Sequence, residues 1–436
     1  MGNTTATVDG RLRGRVPGRR RRRLRTAAAA AALMATLASC GLIAPDNSPG
    51  PSAGPGGTSG AAAGPSTGAP ALTPTPQTQT PTPTPGKGPG CAAVRCATVA
   101  VTGDMLVHAQ LWQQAREDAR SAGAPGLDFG PLLEGQRRYL ARSDLAICHL
   151  ETPVADPTGP FSGYPSFNVP PQIIPAARAV GYQACTTASN HTIDRGTDGL
   201  VRTLDALDAA GVQHTGSYRT EAESRGVLIL QTPAARIAVV AGAYGLNGQS
   251  PEQPWQVDLL EPEAMIAKAR QARALGADIV LGALHAGDEY SGEPNAQQQA
   301  VAHALVDSGQ FSLIYGHHSH SVLPVEQYKG TWIVYGLGNG ITELSPSYAV
   351  NNEGLLVRAQ FSQDAAGKWA ASDLAWAPSV MVRGPYRWCS VAADAPQGPC
   401  AGAAADAATR QRTKSVLESR GAAAAGAHEL LITREP

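Results

Sequence analysis

The chain has no net charge to spare: 35 basic residues face 35 acidic ones. Nine arginines crowd between Arg11 and Arg25 with no acid among them, so the remainder is net acidic. That balance excludes nucleic acid as the expected partner of the folded part. Nor is there an apolar run near the 20 or so residues that a membrane-spanning helix needs. The cysteines include no Cys-x-x-Cys pair of the zinc-finger kind. No internal repeat is visible, which excludes a solenoid or propeller. Gly336-Leu-Gly-Asn339-Gly340 is rich in glycine, but no helix clearly follows it, so it is not a dinucleotide loop; it reads as a rigid turn at the rim of a site.

What is present begins with an export signal. After the arginines comes a short apolar stretch, Thr26 to Leu37, and then Leu37-Ala38-Ser39-Cys40. A charged segment, a short apolar segment and small residues make a secretory signal. The tetrapeptide resembles a bacterial lipobox, so residues 1–40 are expected to be a lipoprotein signal peptide with Cys40 as the lipidated residue. More than one acyl chain gives a stable anchor, and the protein is expected outside the cytoplasm, held to the outer face of the membrane. The arginine run also raises twin-arginine export. Residues 41–90 are almost wholly Pro, Gly, Ala, Ser and Thr and lack the apolar set for a core. They are expected to be a disordered or polyproline II linker. Residues 91–400 are expected to form the domain and 401–436 an Ala-rich tail.

Cys40 aside, six cysteines remain, an even number in a compartment that permits disulfides. Cys91–Cys96 and Cys389–Cys400 are close in sequence, and Cys148 and Cys185 lie in apolar runs expected to be neighbouring strands. This pairing is one of fifteen.

From Gly90 onward the pattern alternates. Strands are expected at 97–102, 145–148, 182–187, 279–284 and 312–315, with helices at 129–142, 172–180, 197–210, 262–275 and 296–306. Hairpins are expected at 227–241 and 322–335, with a late strand at 355–361. Runs of βα units followed by hairpins give an α/β fold, a mixed sheet covered by helices.

The polar residues cluster where these strands end. The segments are Gly103-Asp104-Met-Leu106-Val-His108, His149-Leu-Glu151, Ser189-Asn190-His191, His285-Ala-Gly-Asp288-Glu289 and Gly316-His317-His318-Ser-His320. Seven of the ten histidines fall in these five segments. In open α/β sheets ligands bind beyond the carboxyl ends of strands, so five such loops can converge. Imidazole and carboxylate suit divalent Zn, Mn or Fe. His149 and Glu151 share a strand face, as do His318 and His320; by the same phase His317 should point away. Asp104, Glu151, Asn190, His191, His285, His318 and His320 are expected in one cleft. His303 and His214 are set aside as helix surface and loop, and His428 as part of the tail. Trp112 reads as helix packing.

On these residues, with Asp194 and Gly196 after His191 and Tyr335-Gly-Leu-Gly338-Asn339 later, the chain resembles the CapA (poly-γ-glutamate capsule synthesis) family of the calcineurin-like metallophosphoesterases. The resemblance spans about residues 97–345. It implies a four-layer αββα sandwich around one or two divalent metal ions. It implies metal ligands at Asp104, Glu151, Asn190, His285, His318 and His320, and a catalytic role for His191. The parent pattern Asp-x-His is broken by Leu106, and His108 or His149 could replace the missing ligand, with His149 preferred; otherwise the site holds one metal. Two functions follow. One is a metal-dependent hydrolase acting on a phosphoester or amide of an envelope polymer. The other is a non-catalytic binding or assembly protein for an anionic polymer such as poly-γ-glutamate.

Overall fold

The computed structural model describes residues 88–434 except Ala92 and Pro346. The signal segment, Cys40 and the linker up to residue 87 lie outside the described residues. The chain enters with β1 (Arg95–Met105), buried along all but its first residue. α1 (Ala109–Ser121), α2 (Gly130–Leu133) and α3 (Arg137–Leu140) follow. Then come β2 (Leu145–Leu150), α4 (Ile173–Val180), β3 (Ala184–Thr186), α5 (Gly196–Ala209) and β4 (Gln213–Thr215). β1 to β4 run parallel, each beside the one before, as helical crossovers require. The helix expected over 129–142 is broken at Gly135. A Cβ there would come within 2.9 Å of the Trp388 ring, so the glycine admits the tryptophan at the cost of helix continuity.

After α6 (Glu221–Ser224) a second sheet starts. It contains β5 (Leu228–Gln231), β6 (Arg236–Ala243), β7 (Ile279–Ala286), β8 (Leu313–His318), β9 (Val325–Tyr328) and β10 (Thr331–Val334). α7 (Pro262–Ala274) and α8 (Ala296–Asp307) join β6 to β7 and β7 to β8. Asn295 and Gln298 cap α8 reciprocally, satisfying two otherwise orphaned N–H groups. The chain then returns to the first sheet with β11 (Asn339–Ile341), β12 (Glu353–Gln363), β13 (Trp369–Val382) and β14 (Arg387–Ser390), and ends with α9 (Ala403–Leu417) and β15 (His428–Glu429). The first sheet has the order β14-β13-β12-β1-β2-β3-β4, with β11 on β1 and β15 on β13; the second has β5-β6-β7-β8-β10-β9.

Alternation along the strands sorts the core. In β6, Ile237, Val239 and Ala241 pack in one cluster with Val99, Val101 and Ile147 of the first sheet. Ala238 and Val240 pack in another with Ala269 of α7 and Leu305 of α8. The sheets therefore face one another, and helices cover the far side of the second. The mixed α/β class expected from the sequence holds.

Residues 401–436 are not a tail. α9 packs on β12 and β13, and Leu417, Ala422 and Leu430 are wholly buried. Arg410 pairs with Glu429 at 2.6 Å, and Arg412 pairs with Glu353. The apolar residues are too few and too widely spaced among alanines to show a helical period, which is why the segment reads as a tail. His428 belongs to β15, and His214 lies in β4 rather than in a loop. The three expected disulfides are present, with Cα separations of 6.0 Å for Cys91–Cys96, 4.4 Å for Cys148–Cys185 and 5.8 Å for Cys389–Cys400. Among the described residues no helix is long and apolar enough to cross a membrane.

Candidate metal centre

Parallel strands deliver the polar residues to one edge. Asp104 is in the last turn of pleat of β1, Glu151 follows β2, Asn190 and His191 follow β3, His285 is in β7, and His318 ends β8. Asp104 is wholly buried. Its Oδ1 accepts from His317 Nδ1 at 2.6 Å, and its Oδ2 accepts from the His318 backbone N–H at 3.0 Å. His320 Nδ1 lies 3.3 Å from the same Oδ2 and donates to Asn339 Oδ1 at 3.1 Å. Glu151 is equally buried, and neither of its oxygens has a hydrogen-bond partner. His320 Nε2 stands 3.7 Å from it. His285 Nε2 is 2.8 Å from Asn190 Oδ1, and its Nδ1 is 2.9 Å from His149 Nε2.

Among the described residues three groups of donors result; one is Asp104, His149 and His317, and the other two share Glu151. Glu151, His285 and His318 bring ligand atoms within 4.8 Å of one another, and so do Asp104, Glu151 and His320. Asn190 joins the group of His318 through His285.

The charge states of three of the imidazoles suit a metal. Burial lowers His149 and His285 well below the ordinary histidine range and lowers His318 to about 4, so these imidazoles are neutral. A metal ligand needs that state. Burial pushes Glu151 up to about 7. Burial also works against charge on Asp104, but hydrogen bonds from His317 and His320 outweigh it and hold the carboxyl well below its ordinary value. Burial disfavours protonation of His320, yet Glu151 and Asp104 raise it to about 9. The orphaned oxygens of Glu151 and the buried, unpartnered His318 Nδ1 are atoms a divalent ion would satisfy. A mixed imidazole–carboxylate set fits Zn, Mn or Fe.

His191 sits beside this centre. Its Nδ1 is 2.8 Å from Asp194 Oδ2, and the Phe167 ring meets its face edge-on at 4.8 Å. Burial opposes its protonation, but the Asp194 hydrogen bond and the Glu151 charge raise it overall.

Two placements differ from the sequence reading. His317 does not point away. It shares the inter-sheet face with Leu313 and Tyr315 in β8 and binds Asp104. His318 reaches the centre because its backbone is left-handed, at φ 81°, as is that of His320, at φ 49°; strict strand alternation fails there. His108 is in none of the donor groups among the described residues, and its Nδ1 accepts the Glu343 N–H at 3.1 Å. His149 does lie in a group with Asp104 and His317. Trp112 is buried in helix packing against Phe161, and His303 stacks on Tyr328 far from the cluster.

Two residues outside the expected set of site residues also matter. Asn339 sits opposite Asp104 in the β1–β11 register and holds the His320 ring. Its Gly-Asn-Gly setting was the available signal: Gly338 takes φ 63°, and a Cβ at Gly103 would meet the Gly338 carbonyl carbon at 2.7 Å. Tyr244 covers His318 at 4.5 Å between ring centres, and no sequence pattern marked it.

Residues 98–343 match the family model described as bacterial capsule synthesis protein PGA_cap. Over 175 residues the chain is 29% identical to a capsule biosynthesis protein CapA of Bacillus anthracis, covering 38% of this chain and 42% of that one. Over 217 residues it is 26% identical to a probable polyglutamine synthesis accessory protein of Mycobacterium tuberculosis, covering 46% and 56%. The chain thus spans about half the length of these curated relatives. A solved calcineurin-like phosphoesterase from Bacillus subtilis aligns with 73% of this chain and 97% of its own, at 15% identity and a TM-score of 0.41. With more than half its length inside the family model, the chain belongs to the bacterial capsule synthesis PGA_cap family.

Proposed function

We propose that this protein is a lipid-anchored, extracytoplasmic, metal-dependent hydrolase acting on a phosphoester or amide of an envelope or capsular polymer. The observation that carries the reading is Glu151, whose two buried oxygens lack any hydrogen-bond partner and which is shared by two groups of donors. An unpaired buried carboxylate is costly unless a cation meets it. Glu151, Asn190, His285 and His318 would hold one ion; Asp104, Glu151 and His320 would hold a second. Such ions supply electrophilic polarisation and a water acidic enough to attack near neutral pH. The protein's own groups do the rest. Asp194 accepts the hydrogen bond from His191 Nδ1–H, which leaves Nε2–H of the protonated ring to give a proton to the leaving atom. Phe167 packs against the face of that ring and fixes its orientation. Cys40 anchors the chain, and the linker of residues 41–90 lets the domain stand off the membrane. The capsule-related names of the relatives support a polymer substrate.

Leu106 favours a second reading. It leaves the Asp104 group one donor short, which suits a protein that holds one ion and binds an anionic polymer such as poly-γ-glutamate without turnover. Metal analysis of the purified full chain, with an ester and amide panel, separates the two. Turnover abolished by His191→Ala supports the hydrolase. Polymer binding that survives His191→Ala, with no turnover, supports assembly. Less than about 0.1 ion per chain, with no loss of stability under chelator, defeats both.

A further inference from the structure

Behind the ligands lies a row of hydrogen bonds that neither reading uses. His149 and Thr186 are register partners on β2 and β3, beside the Cys148–Cys185 bridge. His149 Nδ1 is 2.9 Å from Thr186 Oγ1, and Thr186 Oγ1 is 3.4 Å from the Cys148 carbonyl oxygen. His149 Nε2 is 2.9 Å from His285 Nδ1, and His285 Nε2 is 2.8 Å from Asn190 Oδ1. All these side chains are buried. His317 stacks on His149 at 4.1 Å and 17°, which fixes the plane of the ring.

Each atom in the row has a partner in either of two directions. Asn190 Oδ1 can only accept. Without metal, His285 must therefore donate from Nε2. Its Nδ1 then accepts from His149 Nε2–H, and His149 Nδ1 accepts the Thr186 hydroxyl proton. If His285 gives its Nε2 lone pair to an ion, the row must run the other way. His285 Nδ1–H donates to His149 Nε2, His149 Nδ1–H donates to Thr186 Oγ1, and the hydroxyl turns to the Cys148 carbonyl. The proton on His149 Nε2 passes to His285 Nδ1. The proton leaving His285 Nε2 is matched by one gained at His149 Nδ1 through solvent. Both rings stay neutral, and no buried nitrogen is orphaned in either state. A side chain at 149 that could only donate, or only accept, would leave one state with an unpaired buried group.

We propose that His149 is a positioning residue: a reversible Thr186–His149–His285 relay that frees the Nε2 lone pair of His285 for a metal ion. The inference rests on the metal-binding reading above. It differs from a direct ligand at 149, since His149 here acts only through His285. Partners of this kind typically change metal affinity by about 10–100-fold.

The test uses the full chain with Zn²⁺ as the probe. Affinity is read by competition with a chromophoric chelator, and tautomers by nitrogen NMR of histidine-labelled protein. The His149 signals are assigned by their loss in His149→Phe. The His149 proton should move from Nε2 to Nδ1 on loading. His149→Phe keeps the stacked ring and should weaken Zn²⁺ binding at least about tenfold. His149→Gln keeps an acceptor near the Nε2 position and should recover most of that loss. Thr186→Val is nearly isosteric and should weaken binding by a smaller factor, which keeps the test valid if the Phe variant misfolds. An unchanged His149 tautomer on loading overturns the proposal. So does loss of a whole ion in both His149 variants, because His149 would then be a ligand. Failure of the wild-type chain itself to bind Zn²⁺ overturns the metal reading along with it.

Discussion

Replacing Glu151 by Gln should make the metal-free protein more stable at alkaline pH, although the same change removes the carboxylate proposed as the shared ligand. Burial raises the Glu151 carboxyl from an ordinary 4.5 to about 7. A carboxyl whose folded value is raised binds more protons folded than unfolded between those limits. Stability of the metal-free protein therefore falls as pH climbs from about 4.5 to 7 and stays lowered above it. The shift corresponds to about 3 kcal/mol at 1.36 kcal/mol per unit. That is an upper bound for the gain, since Gln also gives up the attraction to His320 at 3.7 Å. For a folded unit of this size, about 3 kcal/mol is a rise in Tm of about 4 °C. Thermal unfolding of chelator-treated protein at pH 5 and pH 8 tests it. E151Q should exceed wild type at pH 8 and match it at pH 5, and saturating metal should reverse the order at pH 8. An equal advantage at both pH values, or none at either, would refute the account of Glu151 as a buried carboxyl whose charge is only partly compensated.

His318→Ala should remove the ion held by Glu151, His285 and His318, so that elemental analysis finds about one ion fewer per chain than in wild type. Leu430→Ala should destabilise the fold by about 2–5 kcal/mol in denaturant melts; no effect would mean that the C-terminal segment does not belong to the core. The Asp373 hydrogen bond at 2.7 Å raises His428, so its contribution is full below about pH 6.5 and fades as pH rises through the raised value. The pair is half-exposed, so His428→Ala should remove less than about 1 kcal/mol, seen as a smaller difference in denaturation midpoint between pH 5.5 and 8.5. Cys40→Ala should move the protein from washed membranes to the soluble fraction, since acyl chains are the expected anchor.

The βα alternation was legible because its strands are continuous apolar runs and its helices end at Gly181, Gly211 and Gly276. The convergence of the polar segments was legible because strand ends gather on one edge. His317 was misread because a phase argument assumes extended backbone, and φ at His318 is positive. The C-terminal elements were missed because alanine carries little periodicity, and β15 exists only through its pairing with β13. Asn339 acts through β11, three residues long and parallel to β1. Its partner lies 235 positions earlier, a pairing that no local pattern encodes.

The donors around Glu151 come from both sheets: Asp104, Glu151 and Asn190 from the first, His285, His318 and His320 from the second. An ion shared among them is a rivet between two layers otherwise joined by side-chain packing. Sliding or parting of the sheets then requires the ion to leave. Resistance to unfolding and to proteases becomes a function of free metal in the surroundings, growing by about 4 kcal/mol at a thousandfold excess over Kd. A protein built this way would read the metal content of its environment through its own lifetime.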